Sequence, residues 1–590
     1  MGANDSHKFV DHKVIIRIRD RVCESSEEMF ASALFLEVVR REVARLKKKE
    51  SPLLAVFGKP AVEIGDADVD RLIEVLKVLS KLELACVVPL VPGAEPFVKD
   101  PSLLNAFVED LYNAWREYER FVVVDSAADT LDQRPYRTFS ATIESLMHLV
   151  RKVYRDIQRN TTGRRPSVYR QIQAGAEVAT IALPKKLALP GGAYAQLNAV
   201  PVIRQILMYP PLLLNPPMNK RTGQFERIAQ NPLEVVGINP EEWLCYPAKV
   251  GPLLILIYFH ERFFELGFSL CNLLELADDQ SLQQPVDAVY LYGVPGESLD
   301  GLAPMPTVFY DDTANSILAA AAPNRDAFGY FGYLKKMVLT LHNIKMLRKG
   351  RLPFHGAMVH IGLRGGKSLT VLIFGDTGAG KSETLEAFRA MGEDMIAEMV
   401  TIADDMGSLE IGPNGEISGY GTEVGAFVRL DDLQPGYAFG QLDRTIIMNP
   451  NQVNARVILP VTTYESVMRG YKPDMVLYAN NYEEVDADHP LIERLANPEA
   501  ALAVWRDGAA MSKGTTTSTG LVHTYFVNIF GATQYRPEHD AIASRYFEEF
   551  FRQGIFVGQF RTRLGIPGWE RKGPEEAARA LLATLTENPD

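Results

Sequence analysis

Cysteine is scarce. The 590 residues hold four (Cys23, Cys86, Cys245 and Cys271), widely spaced and without a C-x-x-C pair. That argues against a disulfide framework and for reduced thiols in a cytoplasmic enzyme. Long apolar runs are lacking too. The most apolar stretch, Pro252 to Phe259, is too short to span a bilayer and runs into His260-Glu261-Arg262. The N-terminus is polar and charged, unlike a signal peptide. Nor is there a surplus of positive charge. Lys plus Arg number 62 against 74 Asp plus Glu, for a net charge of −12. An acidic surface disfavours nucleic acid and anionic membranes as partners, though a local basic pocket for a small anion stays open. The remaining composition, 47% hydrophobic and 23% charged, is that of a globular chain. Its length suits several cores at about 100–200 residues per domain.

What is present centres on Leu369 to Ser382. An apolar, β-rich run ends in Gly375-Asp376-Thr377-Gly378-Ala379-Gly380-Lys381-Ser382, which fits G-x-x-x-x-G-K-[ST], and Glu383 to Met391 reads as a helix. Strand, loop and helix in this order make a P-loop. Its glycines let backbone N–H groups point into one concavity, and the helix N-terminus adds positive potential for phosphate. Lys381 is expected to reach the outer phosphates and the Ser382 hydroxyl to hold a divalent metal. Downstream, Met399 to Asp405 reads as a strand ending in two acids, Asp404 and Asp405. Such a pair supplies one carboxylate to a metal and another to position water or substrate.

We divide the chain into residues 1–145, an α/β region without a recognisable motif, then 146–350 and 351–590. In the first part Val14 to Ile18 reads as a strand, Glu27 to Lys49 as a helix, and Leu53 to Phe57 and Ala85 to Leu90 as buried strands. Asp68 to Leu82 and Leu103 to Tyr118 read as helices, and Ser126 to Pro135 as a boundary. A helix at Thr142 to Gln158 leads to a polar loop, Asn160 to Pro166, whose Arg164 and Arg165 can present forked donors to a carboxylate or phosphate. Asp326 to Arg348 is a helix by its apolar stripe, Leu334, Met337, Val338, Leu341 and Ile344. Its Lys335-Lys336, taken alone, reads as a solvated face. Leu352 to His360 follows as a strand, and His355 in it, taken alone, reads as structural. Pro413-Asn414-Gly415 marks a hairpin. The small, polar Ala509 to Gly520 has the composition of a lid or a surface loop.

These signals line up in order. Thr162-Gly163-Arg164-Arg165-Pro166, Tyr330-Phe331-Gly332-Tyr333-Leu334-Lys335-Lys336, Leu352-Pro353-Phe354-His355, the P-loop, Ile402-Ala403-Asp404-Asp405, Asn454-Ala455-Arg456-Val457 with Pro460, and Ser512-Lys513-Gly514-Thr515 all contribute. From about residue 160 to 565 the chain resembles ATP-dependent phosphoenolpyruvate carboxykinase. Two features depart from it. Lys381-Ser382-Glu383 is more similar to the P-loop of HPr kinase, a relative with the same nucleotide core, and Phe560 to Leu564 is a poor counterpart of the adenine clamp.

The resemblance implies a two-lobed α/β fold with mixed sheets and a P-loop nucleotide site in the cleft, plus the extra N-terminal region. It implies ATP or another nucleoside triphosphate, Mn²⁺ and/or Mg²⁺, and conversion of oxaloacetate to phosphoenolpyruvate and CO₂ or the reverse. Lys336, His355 and Asp405 would hold one metal and Ser382 another. Lys381, Asp404 and Arg456 would act on the phosphoryl group. Arg164 would bind a substrate carboxylate, and Tyr330 would stand beside the leaving CO₂. The alternative is a kinase of HPr kinase type acting on a protein serine or small-molecule hydroxyl. The sequence leaves the oligomeric state open.

Overall fold

The computed structural model describes residues 6–18, 22–125, 139–163, 175–363, 367–376, 378–381, 383–385, 387, 396–430, 444–513 and 519–587. The expected α/β class holds, with helices packed among several mixed sheets. The chain makes two compact units, Met1–Leu183 with Ile203–Tyr209, and Pro184–Val202 with Pro210–Asp590. No helix among the described residues is long and apolar enough to cross a membrane.

In the first unit Lys13–Ile18 pairs antiparallel with Ser6–Val10 and parallel with Glu119–Asp125, which pairs parallel with Val178–Pro184. Helices fill the crossovers. The segment expected as one helix over Glu27 to Lys49 is two, Ser26–Ala31 and Ala33–Lys48. Ser32 makes the break. Its hydroxyl donates to Met29 O at 2.7 Å and accepts from Phe35 N at 3.1 Å, ending one helix and capping the next. The two strands expected at Leu53 to Phe57 and Ala85 to Leu90 are helical. Pro52–Phe57 is a 3₁₀ turn capped by Ser51, and Leu84–Cys86 runs into the α-turn Val87–Leu90. Periodicity does not separate short apolar runs into strand or helix, and here the Ser-Pro start and the left-handed Gly58 decide. Asn160 to Thr162, expected in a loop, form the last turn of the helix Ser145–Thr162, which Gly163 caps at φ 65°. The boundary expected at Ser126 to Pro135, and Arg164 to Pro166, lie outside the described residues; Asp125 is a strand end.

In the second unit, one sheet joins Trp243–Val250, Leu253–His260, Ala288–Val294, Ile317–Pro323 and Val308–Asp312 in mixed sense. A second runs Ile417–Gly421, Met406–Ile411, Leu352–Leu363, Ser368–Phe374, Met475–Asn480, Phe556–Arg561. The helix Phe331–Arg348 is not the amphipathic surface helix its stripe suggested. All but two of its residues are buried, Lys335 among them, so the two lysines are not a solvated face. The expected hairpin forms between Met406–Ile411 and Ile417–Gly421, with Gly415 at φ 83°.

One strand organises the site. Leu352–Leu363 pairs through its first residues with Met406–Ile411 and through later ones with Ile396–Ala403. Both partners are consecutive in sequence, so the chain must turn between them at Asp404-Asp405. That turn falls opposite His355, and Gly356 N donates to Asp405 O at 2.9 Å. On its other edge the same strand pairs with Ser368–Phe374, and Gly375 N donates to His355 O at 3.1 Å. Register alone therefore sets His355 between the acidic pair and the start of the P-loop.

Candidate functional site

Three side chains from two elements, the helix Phe331–Arg348 and the strand Leu352–Leu363, meet at Asp405. His355 Nε2 stands 3.0 Å from Oδ1. On Oδ2 converge Lys336 Nζ and, at 3.0 Å, Lys335 Nζ. Lys335 also reaches Glu423 Oε1 at 3.1 Å, and the Thr422 hydroxyl donates to the other Glu423 oxygen at 2.9 Å. Burial works against the charge on Lys335, but Asp405 and Glu423 outweigh it and hold the ammonium above the ordinary lysine range. Lys336 goes the other way. Burial pulls it below that range, Asp405 opposes, and Lys335 adds to the fall. Asp405 is held well below the carboxylate range: burial alone would raise it, and the two ammonium groups and the His355 hydrogen bond prevail. Burial pushes Asp404 up and Glu423 up to about 6.

The orientation of His355 is fixed from behind. Its Nδ1 lies 2.6 Å from Val527 O. A carbonyl only accepts, so Nδ1 carries the proton and Nε2 is the atom offered to Asp405. Nε2 thus faces the Asp405 carboxylate at hydrogen-bond distance, where it could also serve a cation. A ring whose far nitrogen is tied to a carbonyl is how proteins present a metal-ligating histidine. Phe526, Val527 and Asn528, which deliver that carbonyl, all have left-handed φ, at 46°, 51° and 63°. For a β-branched residue this conformation is strained, and such strain gathers at functional sites. The Asn528 amide also reaches Asp376 Oδ2 at 3.4 Å.

These residues fit a divalent cation held by Lys336 Nζ, His355 Nε2 and an Asp405 oxygen. The set mixes nitrogen and oxygen donors, the lysine is shifted toward its neutral form, and the Asp405 oxygens face both nitrogen donors. Among the described residues there is no cluster of three or more His, Cys, Asp or Glu side chains suited to a metal.

The P-loop lies alongside. Gly378 and Gly380 take φ of 81° and 90°. Lys381 is buried, and its ammonium donates to Gly375 O at 2.5 Å and Asp376 O at 3.0 Å, across the loop. The loop is braced from below. Thr562 Oγ1 donates to Ala379 O at 2.7 Å and Asn481 Nδ2 to Gly378 O at 2.9 Å. Thr562 belongs to the Phe560 to Leu564 segment, in which Arg561 pairs with Glu483 and Glu493. Thr377, Ser382 and Arg164 lie outside the described residues, as do Gly514 and Thr515. Residues 509–513 and 519–523 form a two-stranded hairpin.

Tyr330 and Arg456 share an aromatic neighbour with Lys335. The Tyr330 ring is 6.0 Å from that of Phe427, and the Arg456 guanidinium and Lys335 ammonium lie over it at 5.4 and 5.9 Å. Burial raises the Tyr330 hydroxyl, against the nearby charges of Arg456, Arg221 and Lys335. Arg221 is the residue that sequence reasoning missed. Its guanidinium lies 5.5 Å from the centre of the Phe530 ring, the ring over which Lys336 sits at 4.7 Å. Burial lowers it, offset by Tyr333, Tyr330 and Asp376. Asn454 Nδ2 donates to Asn219 O at 2.5 Å and Asn219 Nδ2 to Val453 O at 2.8 Å, so one latch holds the segments carrying Arg221 and Arg456. A polar stretch, Asn219 to Gly223, offers no local signal of this.

The second unit thus gathers four cations (Lys335, Lys336, Arg221 and Arg456) with two phenylalanines and an acidic pair next to a braced P-loop. Clustered cations beside a glycine turn are the kind of surroundings that can stabilise negative charge. No family model and no curated protein matches this chain.

Proposed function

We propose that the chain is a nucleotide- and divalent-metal-dependent phosphoenolpyruvate carboxykinase, converting oxaloacetate and ATP to phosphoenolpyruvate, CO₂ and ADP, or the reverse. The observation that carries this reading is the meeting of Lys336 and His355 on Asp405 beside the P-loop. A kinase of hydroxyl groups needs a P-loop, a metal carboxylate and a base. It has no use for a lysine pulled toward neutrality and tied to a carbonyl-anchored histidine.

In this reading the core has the two-lobed carboxykinase arrangement, with the nucleotide in the cleft. Lys381 leaves its loop carbonyls to bind the outer phosphates, with Ser382 contributing its hydroxyl. Arg221, together with Arg456, receives the carboxylates of oxaloacetate. Tyr330 borders the carboxylate that departs. As its C–C bond breaks, the electron pair passes to an enolate oxygen, which attacks the γ-phosphorus while ADP leaves. Arg456 and Lys335 stabilise the charge on the transferring group. A Mn²⁺ ion on Lys336, His355 and Asp405 would supply Lewis-acid stabilisation of the enolate.

The test is CO₂ release from oxaloacetate by purified protein with Mn²⁺ and ATP, followed together with phosphoenolpyruvate. Both products should form in equal amounts and only with nucleotide present. ATP turnover onto a serine or another hydroxyl, with no CO₂ from oxaloacetate, would establish the kinase alternative instead.

A further inference from the structure

The first unit contains a concavity of its own, and its chemistry is unlike that of the site above. Nineteen side chains line it, drawn from the strand Lys13–Ile18 and from helices including Ala33–Lys48, Pro101–Glu117 and Ser145–Thr162. None of the nineteen is charged. Its floor is made of side chains that belong to the core, such as Ile16, Leu76, Val108 and Ile157. A flat docking face would expose its apolar side chains, whereas these walls are reached only by something that enters.

Two of the polar side chains on the walls are engaged elsewhere. The Tyr154 hydroxyl donates to Glu109 Oε1 at 2.6 Å, and Ser32 is spent on its two helix ends. The Tyr112 ring stacks on Tyr154 at 3.9 Å. A ligand placing a charged or strongly polar group here would lose hydration that an uncharged, almost wholly apolar lining replaces poorly. The cavity volume is about 120 Å³. That is near the size of an engineered apolar cavity of about 150 Å³ that accepts benzene.

We propose that this concavity is a binding site for a small hydrocarbon body, an aromatic ring or short alkyl chain, with any polar group left outside. It is independent of the catalytic reading, because every lining residue lies in the first unit.

The probe is hexafluorobenzene, followed by ¹⁹F NMR line width on the full chain, with toluene as competitor. Wild-type protein should bind it saturably and release it to toluene. Val150→Phe fills the space from a half-buried wall position and should weaken binding at least about tenfold, with the circular dichroism spectrum unchanged. If that variant does not fold, Leu146→Phe on the same helix wall takes its place. Absence of saturable binding to wild type overturns the proposal, whether because another part of the chain or a second copy fills the cavity. Equal binding by a folded filling variant overturns it too.

Discussion

Replacing Lys335 by methionine keeps most of the side chain's volume and removes its charge. In the native protein that ammonium stands 3.1 Å from Glu423 Oε1 and 3.0 Å from Asp405 Oδ2. Asp405 retains Lys336 and His355 after the change. Glu423, whose side chain is 0% exposed, retains the Thr422 hydroxyl. Removing one partner of a buried pair costs about 3–5 kcal/mol, because the other is left desolvated.

The cost should depend on pH, and its sign follows from Glu423. Burial already lifts this carboxyl from 4.5 to about 6 with the ammonium in place. Without it the folded-state value rises further. Between 4.5 and that value the folded state binds more protons than the unfolded state, so stability falls as pH rises, by about 1.4 kcal/mol per unit. Relative to pH 4.5, the variant should therefore have lost about 3 kcal/mol by pH 7. Urea unfolding followed by tryptophan fluorescence reads mainly the second unit, which contains Trp243, Trp505 and Trp569. Lys335→Met should be much closer to wild type at pH 5 than at pH 7.5. The double variant with Glu423→Gln should recover to within about 1 kcal/mol, since no charge remains stranded. If single and double variants are equally destabilised, or the pH dependence matches wild type, the pair is not the desolvated contact described here.

Lys336→Met should fold and bind Mg–nucleotide within about threefold of wild type, while manganese-dependent turnover falls by about 10³ or more; equal loss of both in calorimetry and assay would tie Lys336 to the nucleotide instead. Gly380→Ala should weaken nucleotide binding at least about tenfold by calorimetry, because its φ is 90° and a Cβ would lie 2.7 Å from Thr562. Arg221→Met should raise KM for the carboxylate substrate by about 10² and leave nucleotide affinity unchanged, the mark of a substrate contact in steady-state kinetics. Burial holds His342 and His539 down to about 4. Each contributes stability that is present above its unfolded value of 6.5 and is lost as pH falls toward 4, up to about 3 kcal/mol apiece. His539→Gln should visibly flatten the acid limb of the stability profile.

What the sequence made legible was local. The P-loop is read from consecutive residues, because strand, glycine turn and lysine are each set by their neighbours. The hairpin at Gly415 and the helices Asp66–Leu79 and Pro101–Glu117 are legible for the same reason. Misreadings came where tertiary surroundings outvote local pattern. Leu53 to Phe57 has a strand's apolar run, yet Ser51, Pro52 and Gly58 wind it. Lys335-Lys336 has the look of a wet helix face. What buries it is Glu423, a residue that no motif marked.

The site itself is a consequence of pairing, which a linear reading meets only as coincidence. His355 is unremarkable in its own strand, and Asp405 is one acid in a turn. They meet because a single long strand pairs with both arms of the chain flanking that turn, while its opposite edge carries the strand that ends in the P-loop. A one-residue slip of Leu352–Leu363 would move His355 to the other face of the sheet and separate all three parts. The carbonyl that orients His355 comes from Val527 in a backbone conformation that its own residue type disfavours, so no propensity argument could have found it. Arg221 is the same case, since its neighbouring ring, Phe530, lies far along the chain. The meeting of these residues therefore depends on register, which no single short motif carries.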